Sequence, residues 1–276
     1  MDSHLKETIF DRISMIEDYA TKQEKAIIEF IRTHQIKDMI LLSITEFSER
    51  VGVGDATMLR FCRKLGLKGY SEFRFLLSQS EGELEKKAGR EADVIFEDMV
   101  MALKSTHEII DETQIEKAAE LILKAEHVYA FGSGNSGVAA QELCNKVLRL
   151  GVHCEYKADA HFQLITTALL TKRDALVLFS VSGSTQDMLE LAKCASKQGT
   201  PLIIVTNYLK SPLAKYADAL LYVVAKSAPL DSGSLVTKVS QLYVIDVLSK
   251  AIRRQRGEAA EEGLRNTAIA VMGKEI

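Results

Sequence analysis

The stretch Ala175-Leu176-Val177-Leu178-Phe179-Ser180-Val181-Ser182-Gly183-Ser184-Thr185-Gln186 decides the fold of this chain. Five apolar residues without alternation read as a strand buried on both faces, as in a parallel sheet covered by helices. Four hydroxyl side chains around one glycine then lead into a helical pattern from Gln186 to Gln198. Strand, polar turn and helix form the repeating unit of wound α/β sheets. Working outward, strands are expected at Val128–Phe131, His153–Tyr156, Leu202–Thr206 and Leu220–Val224. Helices are expected at Val94–Ile110, Glu112–Ala125, Gly137–Leu150 and Ala160–Leu170, with a short piece near Pro212–Tyr216 and a long helix at Leu235–Arg254. The fold class expected for this part is a doubly wound, mostly parallel sheet flanked by helices.

The turn itself carries chemistry. Hydroxyls and a glycine at a strand-to-helix junction, where free backbone amides and the positive helix end converge, make a cradle for a phosphate monoester. A turn that only caps a helix needs one Ser or Thr. No Lys or Arg lies in this loop, so binding would rest on amides and hydroxyls. A second loop, Phe131-Gly132-Ser133-Gly134-Asn135-Ser136-Gly137, satisfies Gly-x-Gly-x-x-Gly, with Glu155 near the end of the next strand. Read alone it is a dinucleotide fingerprint. Both loops fall at carboxyl ends of strands, where open α/β sheets bind ligands, so one cleft can use both.

Residues before the sheet read as helical throughout. Thr21 with Glu24, and Ser43 with Glu46, are spaced as capping boxes at helix starts. A short helix, Ile44–Arg50, is followed by Val51-Gly52-Val53-Gly54 and a second helix, Asp55–Lys64. Gly52 can supply the positive φ that a tight turn between helices requires. With Ala56, Leu59 and Cys62 turned inward, Thr57, Arg60, Arg63 and Lys64 lie on other faces. Such a helix fits the DNA major groove, with Lys68, Tyr70 and Arg74 holding phosphates. Thr45 and Asp55 complete the expected DNA-facing set. A three-helix bundle with a solvated basic face has the same spacing.

The chain has 276 residues, 47% of them apolar and 26% charged, with only 3 Pro, which is too apolar for disorder and long enough for two domains. A net charge of -3 argues against a nucleic-acid binder only if charge is evenly spread. It is not: residues 1–80 hold 12 basic and 12 acidic side chains, 81–120 hold 5 and 12, and 121–276 hold 18 and 14. Arg50–Arg74 alone has six basic residues against Asp55 and Glu72. Glu81–Arg90, with Gly82, Gly89 and mixed charge, reads as a linker. No apolar run approaches the roughly 18 residues of a membrane span, and Met1–Phe10 has no signal or transit pattern, so a cytoplasmic location is expected. Cys62, Cys144, Cys154 and Cys194 lack Cys-x-x-Cys spacing; they read as small buried apolar residues, with no metal site expected.

The string from Ala56 to Phe73, ATMLRFCRKLGLKGYSEF, resembles the DNA-binding domain of the RpiR family of bacterial transcriptional regulators. That family usually has Ser at the position of Gly54, where it caps the recognition helix. The two loops, with Ser211-Pro212-Leu213-Ala214 and Ala217-Asp218, resemble the SIS (sugar isomerase) domain from about Glu112 to Ile252. The second resemblance implies a sugar-phosphate site with its phosphate loop on Ser180, Ser182, Gly183 and Thr185 and its first loop on Gly134, Asn135 and Ser136; the Ser184 hydroxyl completes the expected phosphate-binding set. The organisation expected is a helix-turn-helix DNA-binding domain at 1–80, a linker at 81–93, a SIS domain at 94–254 and a helical tail at 255–276. The tail carries Leu264, Ile269 and Val271 and reads either as a surface for a partner subunit or as an exposed helix.

Sugar isomerisation needs a base that moves a proton between carbons, and Asp159, His161 and Glu155 are the candidates. Capping and recognition of ligand hydroxyls account for Asp159 and His161, so no catalytic residue is expected. Near Asp231-Ser232-Gly233-Ser234 the SIS family often shows a basic residue where this chain has Asp231. The resemblances imply a non-enzymatic, DNA-binding regulator of sugar metabolism that senses a phosphorylated sugar. Its expected partners are a double-stranded DNA operator, a sugar phosphate effector and its own copies as a homodimer or homotetramer, with no cofactor. A sugar-phosphate isomerase with a helical accessory domain, or a nucleotide-binding oxidoreductase, would be the alternatives.

Overall fold

The computed structural model describes residues 8–80, 91–224 and 235–272, which divide into two compact units between Val94 and Ile95. The first is all helical: α1 (Ile9–Glu17), α2 (Lys22–Thr33), α3 (Ile36–Met39), α4 (Ile44–Val51), α5 (Asp55–Lys64) and α6 (Tyr70–Gln79). Thr8, Thr21 and Ser43 open α1, α2 and α4 with full capping boxes to Asp11, Glu24 and Glu46. Each cap accepts an amide that a helix start leaves orphaned. Phe47 centres the core, with Phe30, Tyr70 and Phe73 edge-on to its ring at centroid distances of 5.1, 5.8 and 5.9 Å.

The inward face of α5 differs from the expected one. Met58, Phe61, Cys62 and Leu65 are buried, whereas Ala56 and Leu59 are exposed. Ala56, Leu59 and Cys62 share a helical spacing, but the stripe of Met58, Phe61, Cys62 and Leu65 is larger, and burying more apolar area wins.

The second unit begins within α7 (Glu91–Ile109) and continues with α8 (Glu112–Lys124), β1 (Val128–Gly132), α9 (Asn135–Leu148), β2 (Cys154–Tyr156), α10 (Ala160–Ala168) and β3 (Ala175–Phe179). Then come α11 (Gln186–Gln198), β4 (Leu202–Thr206), a single 3-10 turn at Ala214–Tyr216, β5 (Ala219–Tyr222), α12 (Leu235–Arg256) and α13 (Glu258–Met272). The five strands are parallel, in the order β2-β1-β3-β4-β5. Every residue of β3 and β4 is buried, as an apolar run without alternation requires. Ala130, Val177, Phe179, Ile203 and Val205 pack on α8, α9 and α12, and Phe131, Leu176, Leu178, Leu202 and Ile204 pack with α11 on the other side.

Residues 81–90 of the expected linker, and Asp231–Ser234, lie outside the described residues; 91–93 are already helical in α7. The tail folds back on its own unit. Ala260 is buried, Leu264 packs on the core, and Arg253 holds Glu261 at 2.6 Å. A Cβ on Gly263 would lie 3.0 Å from the Arg149 carbonyl oxygen, so α13 seats closely there. Its last turn leaves Ile269, Val271 and Met272 exposed.

Truncating Phe47 to Ala removes the ring on which three aromatic partners converge, at an expected cost of about 3–5 kcal/mol in urea unfolding of the full chain. A loss below about 1 kcal/mol would show that the aromatic cluster does not hold this unit.

Candidate functional site

Gly132 closes β1, Phe179 closes β3, and the two are paired neighbours in the sheet. From there the chain winds to β2 on one side and to β4 and β5 on the other, so the loops after β1 and β3 flank the topological switch point. In the first loop α9 starts against the strand end. A Cβ on Gly132 would lie 2.7 Å from the Ser136 carbonyl carbon, and one on Gly137 would lie 2.8 Å from the Gly132 oxygen. Gly134 turns the chain at φ +55°, a conformation glycine adopts freely. Gly134 and Asn135 are exposed, whereas Ser136 is buried and accepts from Gln241 Nε2 of α12 at 3.4 Å.

The second loop is fastened at both ends. The Ser180 amide donates to the Val205 carbonyl at 3.0 Å, and the Leu213 amide donates to the Gly183 carbonyl at 2.9 Å. Gly183 sits at φ +57°, and a Cβ there would fall onto the Ser211 hydroxyl. Ser180 Oγ lies 3.4 Å from Thr185 Oγ1, and Ser182 Oγ accepts the Ser184 amide at 3.3 Å. Thr185 precedes α11, yet its side chain caps no amide. The first turn of α11 therefore offers uncapped N–H groups at the positive helix end, beside the half-buried Ser182, Ser184 and Thr185. Chemically this is an arc of neutral donors suited to a tetrahedral oxyanion.

After β2, Asp159 caps α10 by accepting the Phe162 amide at 3.0 Å, and His161 is exposed. Gln163, buried one turn on, donates to the Lys157 carbonyl at 2.7 Å and reaches the Gly132 carbonyl at 3.4 Å. Its Oε1 is buried with no hydrogen-bond partner. This side chain ties the Asp159–His161 segment to the first loop. Sequence reasoning missed Gln163 and Gln241. Their only signal is a glutamine at a core-facing place, as where Gln241 precedes the buried Val244, Ile245 and Leu248 of α12.

In the helical unit, α4 ends on Gly52 at φ +80°, whose amide bonds the Ser48 and Glu49 carbonyls, and α5 starts after Gly54 with no side-chain cap. Arg60, Arg63 and Lys68 are exposed, and Arg60 donates to Thr57 Oγ1 at 3.2 Å. Of the other expected DNA-facing residues, Thr45, Asp55, Lys64 and Tyr70 are engaged elsewhere. Thr45 is buried and donates to Asp55 Oδ2 at 2.8 Å, pinning α4 to α5. Lys64 reaches back to Glu24 Oε2 at 2.8 Å and the Tyr19 carbonyl at 3.1 Å. Tyr70, expected to hold a phosphate, is instead a core residue whose hydroxyl donates to the Leu42 carbonyl at 3.2 Å. Its ring contributes more by burial beside Phe47 and Phe73 than in solvent. Arg74 is half-buried.

Residues 8–83 match the helix-turn-helix domain of the rpiR family, and residues 121–251 match the SIS domain. An HTH-type transcriptional regulator of Clostridium perfringens is 30% identical over 90% of this chain and 94% of its own length. The chain belongs to the rpiR family of HTH-type transcriptional regulators. A further HTH-type regulator, from Haemophilus influenzae, is 29% identical over 97% of this chain and 98% of its own. Among solved structures, the Vibrio vulnificus NanR protein complexed with ManNAc-6P has a TM-score of 0.88 at 25% identity, over 97% of this chain and 99% of that one. The sugar isomerase domain of an RpiR transcription factor from Sphaerobacter thermophilus has a TM-score of 0.59 at 25% identity, over 65% and 98%.

In this rpiR-family chain the glycines at 132 and 137 seat α9 on β1. Glu155, the acidic residue a dinucleotide ribose would require, is paired with Lys157 at 2.8 Å. No described helix is long and apolar enough to cross a membrane.

Glu24 supplies a pH test of the helical unit. Burial would raise its carboxyl, but hydrogen bonds from Lys64 and Thr21 hold it below the ordinary 4.5. The stabilisation is therefore present above that value and lost as pH falls through the lowered one. Glu24→Gln should cost about 1 kcal/mol at pH 7 in urea unfolding, and the difference should be smaller at an acidic pH below the ordinary 4.5. An equal difference at both pH values would contradict the assignment.

Proposed function

We propose that this protein is a transcriptional regulator that binds operator DNA through α5 and takes a sugar phosphate as effector in the cleft at the β1/β3 switch point. The observation that carries the reading is the 180–185 turn, where hydroxyls converge on an uncapped helix start held in shape by Gly183. In this reading Ser180, Ser182, Ser184, Thr185 and the Gly183 backbone hold the phosphate. Gly134, Asn135 and Ser136 form the opposite wall, and Asp159, His161 and the free Gln163 carbonyl read sugar hydroxyls. The binding of ManNAc-6P by the similar NanR protein supports a phosphorylated sugar as the class of ligand.

On the DNA side, Thr57, Arg60 and Arg63 face base edges and Lys68 and Arg74 meet phosphates, while Thr45, Asp55, Lys64 and Tyr70 set the position of α5. The protein is a sensor rather than a catalyst, acting in the cytoplasm. The DNA-binding domain is 1–80, the linker 81–93, the sensing domain 94–254 and the tail 255–276. Phe162 and Ile165 of α10 and Leu169 at its C-terminal end are 60%, 45% and 77% exposed at a helical spacing. Such a stripe supports a homodimer, which would present two recognition helices to half-sites about 34 Å apart or a multiple of it.

Two variants test the two sites separately. Arg60→Ala with Arg63→Ala should weaken operator binding at least tenfold in fluorescence anisotropy and leave the effector-induced Tm shift intact, since each lost contact is worth about 1–3 kcal/mol. Equal DNA affinity would remove the assignment of α5. Ser182→Ala with Thr185→Ala should lose the Tm shift produced by N-acetylmannosamine 6-phosphate or by other sugar phosphates in a panel, because each hydrogen bond to a charged group contributes about 1.5–3 kcal/mol. A panel that shifts wild type and variant alike would refute the phosphate loop.

A further inference from the structure

Cys144 lies on α9 and Cys154 opens β2, and their Sγ atoms are 2.9 Å apart, within about 1 Å of a disulfide bond length. Both are free thiols, Cys144 buried and Cys154 half-buried. Their surroundings make the pair consequential. β2 is an edge strand of only three residues, hydrogen-bonded to β1 on one side. Tyr156, two residues on, places its hydroxyl 2.7 Å from where a Cβ on Gly137 would stand, at the start of α9. The first turn of α9 carries Asn135 and Ser136, and β2 leads directly to Asp159 and His161. A bond between 144 and 154 would join two walls of one cleft.

We propose that Cys144 and Cys154 are a redox modification site: a peroxide converts them to an intramolecular disulfide that staples the edge strand β2 to α9. The more accessible Cys154 thiolate attacks the peroxide oxygen, giving a sulfenic acid and releasing water or an alcohol. Cys144 then attacks that sulfur, the S–S bond forms, and the hydroxyl leaves as water with the thiol proton. Two thiols are oxidised and one peroxide is reduced; a dithiol reverses the change. The neighbouring Cys144 sulfur, and then burial, push the Cys154 thiol above the ordinary range. The thiolate is therefore scarce at neutral pH, and the reaction is slow and accelerates with rising pH. Cys62 is sealed in the helical core, where burial pushes its thiol up to about 12, so it stays reduced.

The test uses the full chain treated with hydrogen peroxide and then alkylated under denaturing conditions. Two of the four thiols should be lost, and peptide mapping should return a Cys144–Cys154 cross-link that dithiothreitol reverses. The Tm should rise by roughly 5 °C or more in wild type and in a C62S/C194S variant, and not in C154S. Four alkylatable thiols after peroxide, or a sulfinic acid at Cys154 without a cross-link, would overturn the proposal. A cross-link with unchanged Tm would overturn the stapling of β2.

Discussion

Gly132 and Gly183 stand where a side chain would collide with its surroundings, and the end of the sheet is assembled around those two close approaches. At Gly132 the backbone of β1 touches the first turn of α9, so the helix starts directly over the strand. At Gly183 the left-handed backbone brings the turn against Thr206 and Ser211, and the Val181 carbonyl accepts both the Asn207 amide at 3.1 Å and the Thr206 hydroxyl at 3.3 Å. Each loop is thus held by its neighbours before any ligand arrives. Ordering a loose loop on binding costs conformational entropy for every residue fixed, and here folding has already met that cost. The donors of the 180–185 turn converge because Gly183 admits the left-handed backbone and the close approach of Ser211 that the turn requires.

The helical unit depends on a comparable division of labour among polar residues. Thr45 with Asp55, and Lys64 with Glu24, join helix to helix. Removing one partner from such a part-buried pair leaves the other desolvated, which costs more than the bond itself contributes. Those four residues hold α5 in place, and Arg60 and Arg63 project from the face so fixed. On the proposed DNA-binding role of α5 both kinds are needed, because contacts that fix the position of the helix let base-edge contacts discriminate.

How far the sequence is readable follows from the range of each interaction. The strands at 175–179 and 202–206 and the helix at 186–198 are read to the residue, because an apolar run bounded by turn residues is a local signal. The capping boxes at Thr21 and Ser43 are local in the same way. The fates of Thr45, Lys64 and Tyr70 are not, since their partners lie 10, 40 and 28 positions away. Gln163 and Gln241 were unreadable for the same reason: each matters through a contact made when distant elements meet. The cysteines read as separate apolar residues because nothing in their spacing shows that α9 returns Cys144 to the start of β2. The 132–137 fingerprint was readable as a close approach but not as a particular ligand, since its glycines serve helix seating whatever the cleft contains.

On the proposed function the protein meets phosphate twice and by different physics. At α5 the donors are cations, so binding releases counterions from DNA and its affinity falls steeply with salt. At the sheet end the donors are hydroxyls, amides and a helix terminus, with no Lys or Arg in the loop. Fixed dipoles in a partly enclosed site are screened far less than exposed charges. The neutral loop also presents no cationic patch that would attract nucleic acid nonspecifically. Salt would therefore loosen the DNA contact while leaving effector binding nearly unchanged, so the two occupancies can vary independently. Any coupling between them must then arise from the conformations of the protein itself, because a ligand shifts only an equilibrium whose states it binds unequally.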